Sequence, residues 1–267
     1  MARVRTSPFV LLFAGSDPSG GAGLELDLKV HALFGVHAAA IATCQTVQTA
    51  TRVHSVAPRP VRDANRQIAA LARSASFRVV QVGMVADRAW IERLARLAAQ
   101  DREVPWIVDP VFAPTSGPRA LPTRALDLYR RRLVPRAMLL TPNAVEAAEL
   151  LGVELARVRR DPESAATELL ALGPAAVLLK GGHLAARGPV VDRLRGRFGA
   201  RDFVQRRQAG VAPRGTGCAL ASAIAASLAR GRALVSAIER AERWLTVARS
   251  QARPIGAGRP YLGLPRP

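Results

Sequence analysis

The stretch Pro213 to Gly231, P-R-G-T-G-C-A-L-A-S-A-I-A-A-S-L-A-R-G, reads as a glycine turn that opens directly into a helix. Leu220, Ile224 and Leu228 recur at i, i+4 and i+8, almost every other position is Ala or Ser, and Gly231 stands where a helix ends. The helix is therefore expected to be packed on most of its sides. Its opening turn, Gly215-Thr216-Gly217-Cys218, then aims consecutive backbone N–H groups outward at the positive end of a helix dipole, a place for an anion or a developing oxyanion. A thiol at that point, Cys218, is expected to have its thiolate favoured. Four residues are a short signal, since a glycine before a helix and a buried cysteine also serve plain packing.

A helix buried on most sides needs a sheet beside it, and the chain supplies one. Phe9 to Gly15, F-V-L-L-F-A-G, is a continuous apolar run ending in turn residues, the mark of a strand covered on both faces. Further strands are read at His37 to Thr43, Val79 to Val82, Trp106 to Val108, Met138 to Leu140 and Ala176 to Leu179. Helices are read between them, one beginning near Leu24 with Leu28 and Leu33 at near-helical spacing. The others are Val61 to Ala72, Ala89 to Gln100, Thr123 to Leu133, Ala144 to Leu151 and Glu163 to Ala171. Strict alternation predicts an α/β fold, a mostly parallel central sheet covered by helices on both faces and joined by right-handed crossovers. Val190 to Arg207 breaks the rhythm and reads as a short antiparallel addition. Ala233 to Ala252 is a last helix with Ile238 and Leu245 turned inward, before a Gly- and Pro-rich tail.

Composition narrows the function classes. At 267 residues the chain can bury a large core, and no break in composition divides it, so a single domain over 1–267 is expected. The net charge of +19 is spread along the chain and carried almost wholly by Arg, with Lys29 and Lys180 the two lysines. Without a basic tract interleaved with aromatics, nucleic acid is not expected as a partner, although anionic ligands should be drawn in. Cys44 and Cys218 are too few for a disulfide framework or a zinc site. No segment reaches membrane-spanning length, and a cytoplasmic protein without membrane attachment is expected.

Two phosphate-binding patterns fail. After Gly21-Ala22-Gly23 the third glycine of a dinucleotide fingerprint would fall at Leu26, and there is no G-x-x-x-x-G-K-[ST] loop. What remains is an ordered series of short motifs just past the strand ends, where open α/β sheets bind ligands. They run A-G-S-D-P-S-G-G-A-G at Ala14 to Gly23 with Asp27 beyond, Gln48, V-G-M at Val82 to Met84 and D-P-V at Asp109 to Val111. Then follow S-G at Ser116 and Gly117, T-P-N-x-x-E-A at Thr141 to Ala147, K-G-G-H at Lys180 to His183, and G-T-G-C at Gly215 to Cys218. In this order, nearly end to end, the chain resembles the hydroxymethylpyrimidine/phosphomethylpyrimidine kinases of thiamin biosynthesis, within the ribokinase-like superfamily.

The resemblance implies a kinase that uses ATP and Mg²⁺ on a small aminopyrimidine, working as a homodimer. It places Gly215, Thr216 and Gly217 as the anion hole, Cys218 as the group that takes the proton from the attacking oxygen, and Lys180 on the nucleotide phosphates. It sets Asn143 and Glu146 near the phosphates and the Mg²⁺, acting through water. Their plain alternative is a helix cap and a first-turn carboxylate. Asp27 and Gln48 are implied to read the aminopyrimidine edge, with Gly15, Met84 and Val111 as walls; His183 is left as structural. The sequence departs from the family pattern at Glu25 (often Gln), Thr115 (commonly Lys), Arg214 (often His) and Ala257 (usually Lys), with Arg259 two residues on as a candidate replacement cation. Phosphorylation of 4-amino-5-hydroxymethyl-2-methylpyrimidine and of its monophosphate is expected. A pyridoxal-type vitamer kinase of the same fold, or a pyrimidine-binding protein without turnover, is the alternative.

Overall fold

A computed structural model of the chain describes residues 7–74, 76–101, 103–114, 117–184 and 187–267. The strands are β1 (Phe9–Ser16), β2 (His37–Gln48), β3 (Val53–Pro58), β4 (Val79–Val82), β5 (Trp106–Val108), β6 (Leu139–Leu140), β7 (Ala176–Leu179), β8 (Val190–Gly196) and β9 (Arg201–Gln205). The helices are α1 (Gly23–Leu33), α2 (Val61–Ser74), α3 (Arg88–Gln100), α4 (Leu126–Arg132), α5 (Ala144–Leu151), α6 (Leu155–Arg160), α7 (Pro162–Ala171), α8 (Thr216–Ala229) and α9 (Leu234–Ser250).

The strands lie in the order β3-β2-β1-β4-β5-β6-β7-β8-β9. From β2 across to β7 every pairing is parallel, while β3, β8 and β9 are antiparallel additions at the two edges. The apolar runs of β1, β5 and β7, and of β4 apart from Gln81, are what a strand covered on both faces requires. The chain leaves β1 toward β2 and β3 and then returns to lay β4 on β1's other side. Strand order therefore reverses between β1 and β4, and an open α/β sheet has its ligand crevice at the carboxyl ends of such a pair.

Two layers of apolar side chains sandwich the sheet. Leu11, Phe13, Val80 and Val82 face α2 to α7, whereas Val10 and Val79 face α1, α8 and α9. Helix α8 is the most enclosed, with Leu220, Ala223, Ile224 and Ala226 at 2% exposure or less. That enclosure is the packing its Ala- and Ser-rich sequence predicts; Leu228 is only partly buried. The Val190 to Arg207 segment is the expected antiparallel hairpin, β8 with β9.

Helix α1 departs from its sequence reading. Leu28 is 38% exposed, and the inner face carries Leu24, Leu26 and Val30 together with Asp27 and His31. A hydrophobic count skips those two polar residues, yet both have buried hydrogen-bond partners that make their burial tolerable. Strand β2 runs on to Gln48 because β3 pairs with its second half; β3 escapes the reading because it is mostly exposed, with Val53 its one buried residue. Helix α6, short and Arg-rich, buries Val158 alone.

The corrected faces can be checked by denaturation. Ile224→Ala should cost about 2–5 kcal/mol by opening a cavity in an enclosed layer, whereas Leu28→Ala should stay within about 0.5 kcal/mol of wild type.

Candidate active site

A cavity of about 560 Å³ opens at the carboxyl ends of the strands. All the residues singled out from the sequence as site candidates line it: Gly15, Asp27, Gln48, Met84, Val111, Asn143, Glu146, Lys180, Gly215, Thr216, Gly217 and Cys218. Gly15, next to last in β1, lies beside Met84 just past β4, so the reversal of strand order lies under this part of the cavity. Thr115 and Ser116, read from the sequence as a departure and part of a motif, lie outside the described residues.

The start of α8 is set by two glycine turns pressed together. Gly215 precedes α8 at φ +72°, and a Cβ there would stand 2.2 Å from the carbonyl oxygen of Gly21. Gly23, at φ +56°, would place a Cβ 2.3 Å from the oxygen of Gly15. Only glycine allows both the left-handed backbone and the approach. The first intrahelical bond of α8 runs from the Ala219 N–H to the Gly215 carbonyl at 2.8 Å. The N–H groups of Thr216, Gly217 and Cys218 thus precede the ladder, and no side chain caps them.

Arg214 locks the two turns together. It is 6% exposed; its Nη2 lies 3.0 Å from Asp17 Oδ2 and its Nη1 donates to Ser19 Oγ at 2.7 Å. Its backbone N–H donates to Pro260, and its guanidinium lies 5.5 Å from the Tyr261 ring centre. Glu25 completes the turn by accepting from Ser16 Oγ and the Asp17 N–H at 2.5 and 2.7 Å. Arg259 lines the cavity, as a replacement cation must, but its Nε and Nη2 donate to the carbonyls of Ala212 and Pro213.

Against Gly217, in the first turn of α8, lies a charge cluster that the sequence reading only half found: a Cβ on Gly217 would stand 3.2 Å from Lys180 Nζ and 3.7 Å from Asp109 Oδ2. Asp109, Thr141 and Lys180 are each the first residue beyond one of three neighbouring strands, β5, β6 and β7. Lys180 Nζ lies 2.7 Å from Asp109 Oδ1 and 3.9 Å from Glu146 Oε2, and Thr141 Oγ1 donates to the same Asp109 oxygen at 2.8 Å. Asp109 had no role assigned; its position directly after a buried strand, matched by Lys180 two strands on, was the available signal. Burial works against the Lys180 charge, but Asp109 and Glu146 outweigh it and hold the ammonium above its ordinary range. Burial pushes the Glu146 carboxyl up to about 7 against the pull of Lys180, with Asp109 adding to the rise.

Asn143 and Glu146 also form a reciprocal cap on α5. The Asn143 side chain accepts from the Val145 and Glu146 N–H groups, and Glu146 Oε2 accepts from the Asn143 N–H at 2.7 Å. The cap and the wall of the cavity are the same two side chains. His183 lines the cavity as well. Among the described residues no three His, Cys, Asp or Glu side chains gather into a metal cage, and no helix is long and apolar enough to cross a membrane.

Cys218 corrects the expectation of a favoured thiolate. Burial, Asp27 and Asp109 push the thiol well above its ordinary range, and the Gly23 N–H and Lys180 offset this only in part. The helix terminus is outweighed first by burial of the sulfur and then by the two carboxylates.

An open sheet that brings a helix N-terminus and a buried lysine to one crevice is the construction of the ribokinase-like kinases, the class to which the fold assigns the chain. Residues 17–262 match the model of the phosphomethylpyrimidine kinase family. The chain is 36% identical over 260 residues to the hydroxymethylpyrimidine/phosphomethylpyrimidine kinase of Streptomyces coelicolor, covering 95% of this chain and 93% of that one. It is 37% identical over 254 residues to the enzyme of that name from Mycobacterium bovis, covering 95% and 92%. Among solved structures it superposes on a pyridoxal kinase of Bacillus subtilis with a TM-score of 0.87 at 25% identity, over 98% of both chains. On a phosphomethylpyrimidine kinase of Clostridium difficile the TM-score is 0.77 at 31% identity, over 90% of this chain and 98% of that one. The chain belongs to the phosphomethylpyrimidine kinase family.

The Glu146 carboxyl makes a testable contribution to stability. Its folded pKa lies above the unfolded value of 4.5, so the stability it confers is complete below about 4.5 and lost as the pH rises through about 7. Glu146→Gln, which keeps the cap acceptor without the charge, should gain stability relative to wild type between pH 5 and pH 8 in paired denaturant titrations.

Proposed function

We propose that the chain transfers the γ-phosphoryl group of ATP to the hydroxymethyl oxygen of 4-amino-5-hydroxymethyl-2-methylpyrimidine and then phosphorylates the resulting monophosphate. One observation carries the reading: the first turn of α8, the Asp109-anchored Lys180 beside it and Asp27 line a single cavity. The shared names of the relatives support the same substrate. Phosphoryl transfer needs positioning and charge neutralisation more than covalent chemistry. The N–H groups of Thr216, Gly217 and Cys218 are placed to receive the transferring phosphoryl oxygens, and Lys180 to neutralise the nucleotide.

Asp109, Asn143 and Glu146 offer the hard oxygen donors suited to Mg²⁺, which would supply charge neutralisation between phosphates while keeping several of its waters.

At the substrate end, Asp27 pairs with the aminopyrimidine edge and Gln48 completes the reading, between Gly15, Met84 and Val111. Cys218 lies one helical turn before Ser222, which holds Asp27, and is the acceptor for the hydroxymethyl proton. Asp27 is one of the charges that keep the thiol protonated. A substrate edge that pairs with Asp27 offsets that charge and lowers the cost of the thiolate, so recognition and proton transfer are electrostatically linked.

The closer superposition on pyridoxal kinase, 0.87 against 0.77, favours a second reading, a kinase of a pyridoxal-type vitamer. A coupled assay with Mg-ATP and each of hydroxymethylpyrimidine, its monophosphate and pyridoxal separates the two. Turnover of the pyrimidine with kcat falling about 10²–10⁴-fold in Cys218→Ala is expected. Preference for pyridoxal would move the assignment, and pyrimidine binding by calorimetry without any turnover would leave a binder on a kinase scaffold.

A further inference from the structure

Beneath the cavity four polar side chains are buried in a layer otherwise built from Ala, Val, Leu and Ile. Asp27 and His31 lie on one face of α1, Gln81 on β4 and Ser222 on α8, all at 1% exposure or less. They are bonded in series. Ser222 Oγ donates to Asp27 Oδ1 at 2.7 Å, Gln81 Nε2 donates to Ser222 Oγ at 2.9 Å, and Gln81 Oε1 lies 2.9 Å from His31 Nε2.

The direction of every bond follows from what each group can do. An amide nitrogen only donates, so the Ser222 oxygen accepts from Gln81 and its one proton is committed to Asp27. The Gln81 oxygen only accepts, so His31 carries its proton on Nε2. His31 Nδ1 is then a bare lone pair, and Nδ1 is the ring atom without a partner. Burial depresses the imidazole to about 4, so the ring stays neutral at physiological pH and the polarity is fixed.

Apolar side chains of the same volume would join α1, β4 and α8 without the desolvation cost of four polar groups. They would not hold a carboxylate at a set angle. The three bonded elements are those that carry Asp27, Met84 just past β4, and Cys218. Burial raises the Asp27 carboxyl well above its ordinary range, and the Ser222 hydroxyl is the hydrogen bond that opposes the rise. Asp109 beyond β5 and Glu25 on the same helix add to the rise, with Cys218 on α8 also facing Asp27 electrostatically.

We infer that His31, Gln81 and Ser222 are positioning residues for Asp27: the chain of donors fixes Oδ1 as an internal acceptor and leaves Oδ2 to meet the substrate, so these three set the specificity for an aminopyrimidine edge. This rests on Asp27 being the carboxylate that reads the substrate.

The test combines ¹³C NMR titration of the Asp27 carboxyl in the ligand-free protein with steady-state kinetics, on wild type, Ser222→Ala, Ser222→Thr and Gln81→Met. Gln81→Met breaks the series without touching Asp27 and keeps the shape of the side chain. In Ser222→Ala the carboxyl should titrate at higher pH, in Gln81→Met by a smaller displacement in the same direction, and in Ser222→Thr close to wild type. KM for the pyrimidine should rise about tenfold in Ser222→Ala, the scale of one hydrogen bond to a charged group, with kcat and the KM for ATP little changed. A carboxyl that titrates as in wild type in both Ser222→Ala and Gln81→Met overturns the inference even if both variants melt earlier, because a merely structural role moves the melting point alone. The titration needs no substrate, so failure of the pyrimidine-kinase reading would show separately, as wild-type protein that does not phosphorylate the pyrimidine.

Discussion

The site depends on one close approach of backbone to backbone. The carbonyl of Gly21 and the α-carbon of Gly215 meet where a single added carbon would stand 2.2 Å from the oxygen. That approach seats the turn after β1 against the start of α8, and so brings Asp27, the first turn of α8 and Cys218 to one cavity. Arg214 holds the two turns from the side through Asp17 and Ser19. An arginine rather than a more compact base suits this, because its fork reaches two partners and its face is covered by Tyr261.

The distribution of charge gives the same region its chemistry. The excess of 19 positive charges is almost all Arg, while the cavity itself gathers buried carboxylates at Asp17, Asp27, Asp109 and Glu146. Lys180 is the compact cation set among the last two of them. Charges taken out of water oppose folding, and like charges beside them add to it; the raised positions of Glu146 and Asp27 express burial first and their carboxylate neighbours second. Such strain is tolerated where a ligand relieves it: a phosphate competes for Lys180, and an amine edge answers Asp27. The residues that make the pocket reactive are thus among those that make it a weaker core than an apolar packing would be.

Much of this was legible in the sequence because α/β alternation is a strong periodic signal. The apolar runs of β1, β4, β5 and β7 and the Ala-rich α8 could hardly be read otherwise, and ordered short motifs placed the site residues together. What escaped has physical reasons. Strand β3 is exposed on most of its length and has no alternation to find. In α1, Leu28 fitted the helical spacing, but Asp27 and His31 took the inner face, and a hydrophobic count does not register a polar residue whose partner lies 50 or 195 positions away. The thiolate at Cys218 was expected from the helix end alone; burial, and two carboxylates contributed by remote segments, reversed it. Local sequence reported the local field and could not report theirs.

The brace at Arg214 ties together parts of the chain that are made far apart in time. Its partners are Asp17 and Ser19 near the beginning, and Pro260 and Tyr261 some 45 residues after it. During synthesis the first strands and α1 can pack early, but the turn before α8 lacks its last support until Tyr261 has cleared the ribosome. The pocket therefore cannot be finished before the segment around Tyr261 has been made and has folded back onto that turn.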